Sequence, residues 1–192
     1  DLGKLQAEKE VRTLLGTRQV ALLGIELPCN SWSIARRGNP PPLRDSHHFV
    51  LGLPHLGTKD KERVHNANQQ YRSAVRLIRS CLAFGIPGYL ENPKSSRLWK
   101  TPGFIKLAKD PRIQLVHLDQ CQYNCPYKKA TTLMIWNVQR HLTLKTCSGK
   151  GGRCSRTRKK HINLNNVALT KTAQEYSWSL ATAIIDIFAL PP

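Results

Sequence analysis

The sequence predicts an α/β protein with a mainly parallel sheet, and three observations carry that prediction. Short apolar runs at Val20–Ile25 and Ile86–Leu90 have the composition of strands buried on both faces. Between them, Lys61–Phe84 places Val64, Ala67, Tyr71, Ala74, Val75, Ile78 and Leu82 on one helical stripe. Strand, helix and strand then alternate toward the C-terminus, the pattern of a sheet whose strands are joined by crossover helices.

The elements follow in order. Residues 2–17 are expected to be helical, because Leu2, Leu5, Ala7, Val11, Leu14 and Leu15 recur at helical spacing and Gly16 stops the run. Val20–Leu27 is the first strand. Residues 30–58 show no period and contain Pro40-Pro41-Pro42, and a loop of that length in a compact domain is often functional. Gly85 ends the long helix and Pro87 prevents its resumption. Ile86–Glu91 is the second strand, Ser95–Ala108 a helix broken at Pro102-Gly103, and Ile113–Leu118 and Thr131–Val138 the third and fourth strands. Thr172–Phe188 is a last helix with Tyr176, Leu180, Ile184, Ile187 and Phe188 on its apolar side. The whole of 1–192 reads as a single domain without internal repeats. Residues 137–171 form a small, basic, irregular insertion before the C-terminal helix.

Charge indicates the class of partner. The 192 residues carry 30 Lys and Arg against 12 Asp and Glu, a formal charge of +18. From Gln120 to Ala173 there are 11 cations and no acidic residue, a field that attracts a phosphate backbone. DNA is the expected partner and RNA the second choice. Because 40% of the chain is hydrophobic and it holds 4 Trp, this is a folded domain rather than a basic tail. Arg36, Arg37, Lys128, Arg153, Arg156, Arg158, Lys159 and Lys160 are the candidate phosphate contacts. The run Arg156–Lys160 suits a nuclear import signal and a solvated loop equally. No apolar run approaches the roughly 18 residues a membrane span needs, so no membrane partner is expected. The start, Asp-Leu-Gly-Lys, has no apolar signal region. Six cysteines in a chain of this length suggest free thiols in a reducing compartment. The expected location is nuclear in a eukaryote and cytoplasmic otherwise, not secreted.

Two segments carry the candidate chemistry: Leu27-Pro28-Cys29-Asn30-Ser31-Trp32-Ser33 and Leu90-Glu91-Asn92-Pro93. Each follows an apolar strand, and in open α/β sheets ligands sit at the carboxyl ends of strands. A cysteine beside a proton-handling carboxylate suits covalent catalysis. Taken alone, a cysteine at a strand end such as Cys29 is more often a buried structural residue, and Glu91 reads as a cap for the following helix.

Together the segments resemble a known family. Pro28-Cys29-x-x-x-Ser33 is similar to the nucleophile loop of the C5-cytosine DNA methyltransferases. Glu91-Asn92-Pro93 is similar to their Glu-Asn-Val motif. Cys121-Gln122-Tyr123-Asn124-Cys125-Pro126-Tyr127-Lys128-Lys129-Ala130-Thr131 resembles their next motif, Gly-Val-Pro-Gln-x-Arg-x-Arg. Order and spacing agree over about residues 19–188, and the form is nearest to short phage-like or mobile-element versions. The resemblance implies a Rossmann-like, truncated methyltransferase fold, with methyl transfer from S-adenosylmethionine to cytosine. It implies that Cys29 adds to C6 of the base, that Glu91 bonds N3 and the exocyclic amine, and that Lys129 replaces the first arginine beside the base carbonyl. A target inside duplex DNA would be flipped out.

The departures set the alternative. Tyr127, Lys129 and Thr131 stand where the family has glutamine and two arginines, and lysine lacks the planar fork of arginine. The family's cofactor loop, Phe-x-Gly-x-Gly after a strand, has no counterpart in the eighteen residues before Gln19. Gly149-Lys150-Gly151-Gly152 reads as a flexible basic turn. The chain alone is therefore expected to be inactive. The alternative is a catalytically inactive, basic nucleic-acid-binding domain of a mobile element. Cys147-x6-Cys154-x6-His161 is a weak zinc candidate, with Cys121 or Cys125 as the fourth ligand such a site needs. The spacing matches no compact zinc motif, so free cysteines in a basic loop are expected and no metal site is counted.

Overall fold

In the computed structural model, which describes residues 5–34, 41–164 and 173–189, the strands are β1 (Leu23–Glu26), β2 (Gly88–Pro93), β3 (Ile113–Asp119) and β4 (Ala130–Trp136). They form one sheet in the order β1-β2-β4-β3. The helices are α1 (Leu5–Gly16), α2 (Thr58–Phe84), α3 (Pro102–Leu107) and α4 (Trp178–Ile185). Among the described residues no helix is long and apolar enough to cross a membrane.

The class is α/β, but the sheet is mixed. Only β1 and β2 pair in parallel, with Glu26 opposite Glu91. β4 is antiparallel to both β2 and β3. Hence β1, β2 and β3 run one way and β4 returns between the last two. The expectation of a mainly parallel sheet is corrected here, and the reason is the connection. A parallel return requires a crossover of a dozen or more residues. The link from Asp119 to Ala130 carries only a 3₁₀ turn at Gln120–Tyr123, so the chain doubles back.

Each face of the sheet has its own core. On one side α1, α2 and α3 pack Leu15, Ala74, Ile78 and Phe104 against Ile25, Leu90, Met134 and Trp136. On the other, Leu180 and Ile184 of α4 pack against Val116, Leu118, Leu133 and Ile135. Alternate residues of β4 thus serve opposite cores, which is why its sequence reads as an unbroken apolar run. The stripe expected on α2 is buried along its length. Gly85 ends that helix in the left-handed conformation, φ 71°, with its N–H on the Cys81 carbonyl.

An ion pair with a buried carboxylate and a half-exposed guanidinium docks α1 on α2. Arg76 reaches Glu8 with Nε at 2.6 Å and Nη2 at 2.5 Å, and the Ser73 hydroxyl donates to the same carboxylate at 2.7 Å. The Arg76 guanidinium holds the Glu8 carboxyl below its ordinary range. The break expected near Pro102 separates a 3₁₀ turn, Arg97–Lys100, from α3, whose first turn holds the proline. The last helix begins at Trp178 because Ser177 caps it, its side chain accepting from the Leu180 N–H at 3.2 Å. The start proposed at Thr172 lies outside the described residues. The insertion has little regular structure: a 3₁₀ turn at Lys150–Gly152 and a bridge between Arg153 and Lys160.

Gly88 tests the parallel pairing. A Cβ there would lie 2.3 Å from the Leu23 carbonyl oxygen and 2.4 Å from the Trp136 ring, and the first is backbone that cannot swing aside. Gly88→Ala is expected to cost at least about 1–3 kcal/mol, read as a lower midpoint in urea unfolding. An unchanged midpoint would show that β1 and β2 are not packed this closely.

Candidate active site

β1 and β2 end side by side, and the chain locks the two ends together. Asn92, wholly buried, donates from Nδ2 to the Leu27 carbonyl at 2.9 Å. This sets Pro28-Cys29 beside Glu91. The turn after Cys29 is closed by the Trp32 N–H on the Cys29 carbonyl at 3.0 Å. Two arginines then clamp it. Arg97 donates from Nη1 to the Ser33 carbonyl at 2.9 Å. Arg44, only 1% exposed, lies over the Trp32 ring at 3.5 Å and donates to the carbonyls of Ser31, Val50 and Val64 and to Asn68 Oδ1 at 2.8 Å. The sequence offers no signal for this role: Arg44 sits in an aperiodic loop and reads as one more surface cation.

Lys129 reaches the same place from the residue before β4. Its φ of 25° is in the left-handed region, uncommon for a side chain of this size. Its Nζ donates to the Ala173 carbonyl at 2.7 Å. The resulting cleft, about 310 Å³, is lined by Glu26, Pro28, Cys29, Glu91, Lys129 and Gln174 among others. Its volume is at the small end of the range for ligand sites, enough for one planar base. A larger depression of about 630 Å³ lies at the other end of the sheet, beside Gly85, Arg112 and Asn137. No thiol or carboxylate lines it, so the candidate residues Cys29 and Glu91 lie in the smaller cleft.

The electrostatics of the cleft are those of buried groups. Burial lifts the Glu91 carboxyl above its ordinary value; Lys129 opposes this and Glu26 adds to it. Glu91 Oε1 and Asn92 Oδ1 are both buried without a hydrogen-bond partner. An unpaired acceptor at this depth is costly, and of the two residues only Glu91 lines the cleft. Burial also raises the Cys29 thiol, with Lys129 pulling it down and Glu91 pushing it up. The cation nearest the thiol in effect is thus Lys129. Arg36 and Arg37, candidate phosphate contacts from the sequence, lie outside the described residues.

The structure brings Cys29, Glu91 and Lys129 together. Thr131 of the third motif also reaches them, its side chain hydrogen-bonded to Glu91, whereas Tyr127 and Lys128 do not. Tyr127 is buried with Cys125 and Ala173, and Thr131 is wholly buried, its hydroxyl 3.4 Å from Gln120 Nε2. Lys128 turns the other way, with its ammonium 4.0 Å from the Asp119 carboxylate. Arg153, Arg156, Arg158, Lys159 and Lys160 are all exposed, clustered on the hairpin closed by the Arg153–Lys160 bridge. Cys147, Cys154 and His161 converge with Cys121 rather than with Cys125.

The described residues do not fit S-adenosylmethionine. In the family that the sequence motifs resemble, a glycine-rich loop after a strand holds it. The described glycines that face open space, Gly16, Gly57, Gly85, Gly151 and Gly152, lie at helix ends and in the basic turn, none at the carboxyl end of β1 or β2. Comparison of the chain with protein-family models, curated proteins and solved structures finds no match.

Glu91 makes a pH prediction. Its folded-state value lies above the ordinary 4.5, so the stability it contributes is complete below pH 4.5 and is lost as pH rises through the folded value. Glu91→Gln removes that loss. The melting temperature of the variant relative to wild type is therefore expected to rise from pH 4 to neutrality. A difference that stays constant with pH would show that the carboxyl is not desolvated.

Proposed function

We propose that this chain is a C5-cytosine DNA methyltransferase-like domain of Rossmann-like descent whose cleft receives an extruded cytosine. The observation that carries the reading is the convergence of Cys29, Glu91 and Lys129 on one base-sized cleft at the carboxyl ends of β1 and β2. Cys29, as the thiolate with its proton passed to solvent, forms a bond from sulfur to C6. The C5=C6 electron pair shifts into C4=C5, and the C4=N3 pair moves onto N3, which takes a proton from Glu91. A buried glutamic acid holds that proton at higher pH than an exposed one, and its unpaired Oε1 faces the need for a partner. Lys129 is placed to offset charge on the base carbonyl. C5, now electron-rich, takes a proton from water. Reversal removes one of the two protons from C5, breaks the bond from sulfur to C6 and returns the N3 proton to Glu91. The net result is exchange of the C5 hydrogen with solvent. The described residues carry this addition step, and methyl transfer is not assigned to them.

The test needs no methyl donor. The full chain, incubated with single-stranded DNA tritiated at cytosine C5, is expected to release tritium to water. Cys29→Ser should abolish release, and Glu91→Gln should slow it about 100-fold. Wild-type release no faster than that of Cys29→Ser would overturn the reading.

A second reading, a nucleic-acid-binding domain of a mobile element without chemistry, is favoured by one observation: burial holds the Cys29 thiol up, against activation. Both readings use the exposed cationic hairpin for phosphate contact, with DNA the expected partner. Replacing Arg153, Arg156, Arg158 and Lys159 with Ala is expected to weaken binding to all sequences alike. The slope of log affinity against log salt should become shallower by up to about 3. An unchanged slope places the footprint elsewhere.

A further inference from the structure

We propose that Cys121, Cys147, Cys154 and His161 form a structural zinc site that anchors the basic hairpin to the end of β3. The four ligand atoms all lie within 4.8 Å of one another. Zinc bound tetrahedrally, with Zn–S about 2.3 Å and Zn–N about 2.0 Å, separates its ligand atoms by roughly 3.5–3.8 Å. Cys147 Sγ and His161 Nε2 are already 3.7 Å apart. Small rotations of the remaining side chains close the set.

Packing supplies the second argument. Cys121, Cys147 and Cys154 are each buried, and together they make a cluster that contains no aliphatic or aromatic side chain. None of them is in a disulfide. Three cysteines are a poor hydrophobic core, and the hairpin they hold is otherwise exposed and cationic. A metal is what small segments without an apolar core use in its place.

The surroundings suit thiolates. Gln122 Nε2 lies 3.6 Å from both Cys121 Sγ and Cys154 Sγ, and the Ser155 N–H donates to Cys147 Sγ at 3.3 Å. Donors of this kind stabilise metal-bound sulfur. Backbone bonds hold three of the four ligands in place: Cys147 N–H on Asp119 Oδ2 at 2.7 Å, Cys154 N–H on the Lys159 carbonyl at 2.8 Å, and His161 N–H on the Gly152 carbonyl at 3.0 Å. Three thiolates and an imidazole select zinc, and four protein ligands leave no position for water, so the role is structural rather than catalytic. Arg153 donates within the hairpin to the Arg158 carbonyl and Arg156 donates out of it to the carbonyl of the ligand Cys121, so the ion would order part of the cationic surface.

The test is metal content of the full chain, purified without added metal or chelator. Mass spectrometry of the metal is expected to find one zinc per chain. Cobalt exchanged into the site should show thiolate charge-transfer and tetrahedral d–d absorption. Cys147→Ser and His161→Ala should lose the metal, while His161→Cys, which restores a fourth soft ligand, and Cys125→Ser, outside the cluster, should keep it. If the Cys147 variant fails to fold, wild type still decides. A chelator should lower its melting temperature and expose three further thiols to titration. Metal-free folded protein, iron with sulfide, or a disulfide within the cluster would each overturn the proposal.

Discussion

The parallel pairing of β1 with β2, closed by the Asn92 side chain on the Leu27 carbonyl, is the constraint on which the rest of the structure depends. It joins residues 65 apart in sequence, and α2 is the crossover that permits it. Register is the sensitive quantity. A slip of one residue would turn Glu91 to the opposite face of the sheet and carry Cys29 away from it. Several features guard the register. Gly88 lets the Leu23 carbonyl and the Trp136 ring approach without a side chain between them. Arg44 and Arg97 pin the chain just after Cys29 to α2 and to the turn after β2. The cleft is therefore preorganised by groups that do not themselves line it, as precise sites require.

Charge is used for two separate purposes. The net charge of +18 suggests a uniformly cationic surface, yet several cations are structural. Arg44 is buried among carbonyls and an aromatic ring, Arg76 holds Glu8, and Arg112 binds Asp110 and the Leu82 carbonyl. Five exposed cations lie within the eight residues from Arg153 to Lys160, while others, such as Lys61, Arg72 and Arg79 on α2, are spread over the surface. Lys128 and Lys129, adjacent in sequence, diverge between the two regions. One neighbours Asp119 beneath the hairpin, and the other lines the cleft. The strained backbone at Lys129 is what separates their directions.

Much of the element-level fold was legible in the sequence because helical and strand periods are local. The α2 stripe, its glycine stop and the four strands all follow from spacings within a few turns of chain. Sheet order was not legible. Nothing in Thr131–Trp136 says that it enters between β2 and β3 in the reverse direction, because pairing depends on how the preceding link folds. Boundaries moved where a side chain intervened, as at Ser177, whose cap starts α4 later than the apolar spacing suggested.

For the site, the sequence by itself determined the candidate residue types and their position at strand ends: Cys29 after one apolar run and Glu91 at the end of another. It also determined the cationic character of 120–171. Only the tertiary structure decided which side chains share a space. It brought Lys129 and not Tyr127 to the cleft, and it joined Cys121 rather than Cys125 to Cys147, Cys154 and His161. The physical reason is the same in both cases. A strand end or a helix face is written in neighbouring residues, whereas a cleft or a cluster of ligands is an intersection of distant segments. Where those segments cross is set by the order and direction of the strands that carry them.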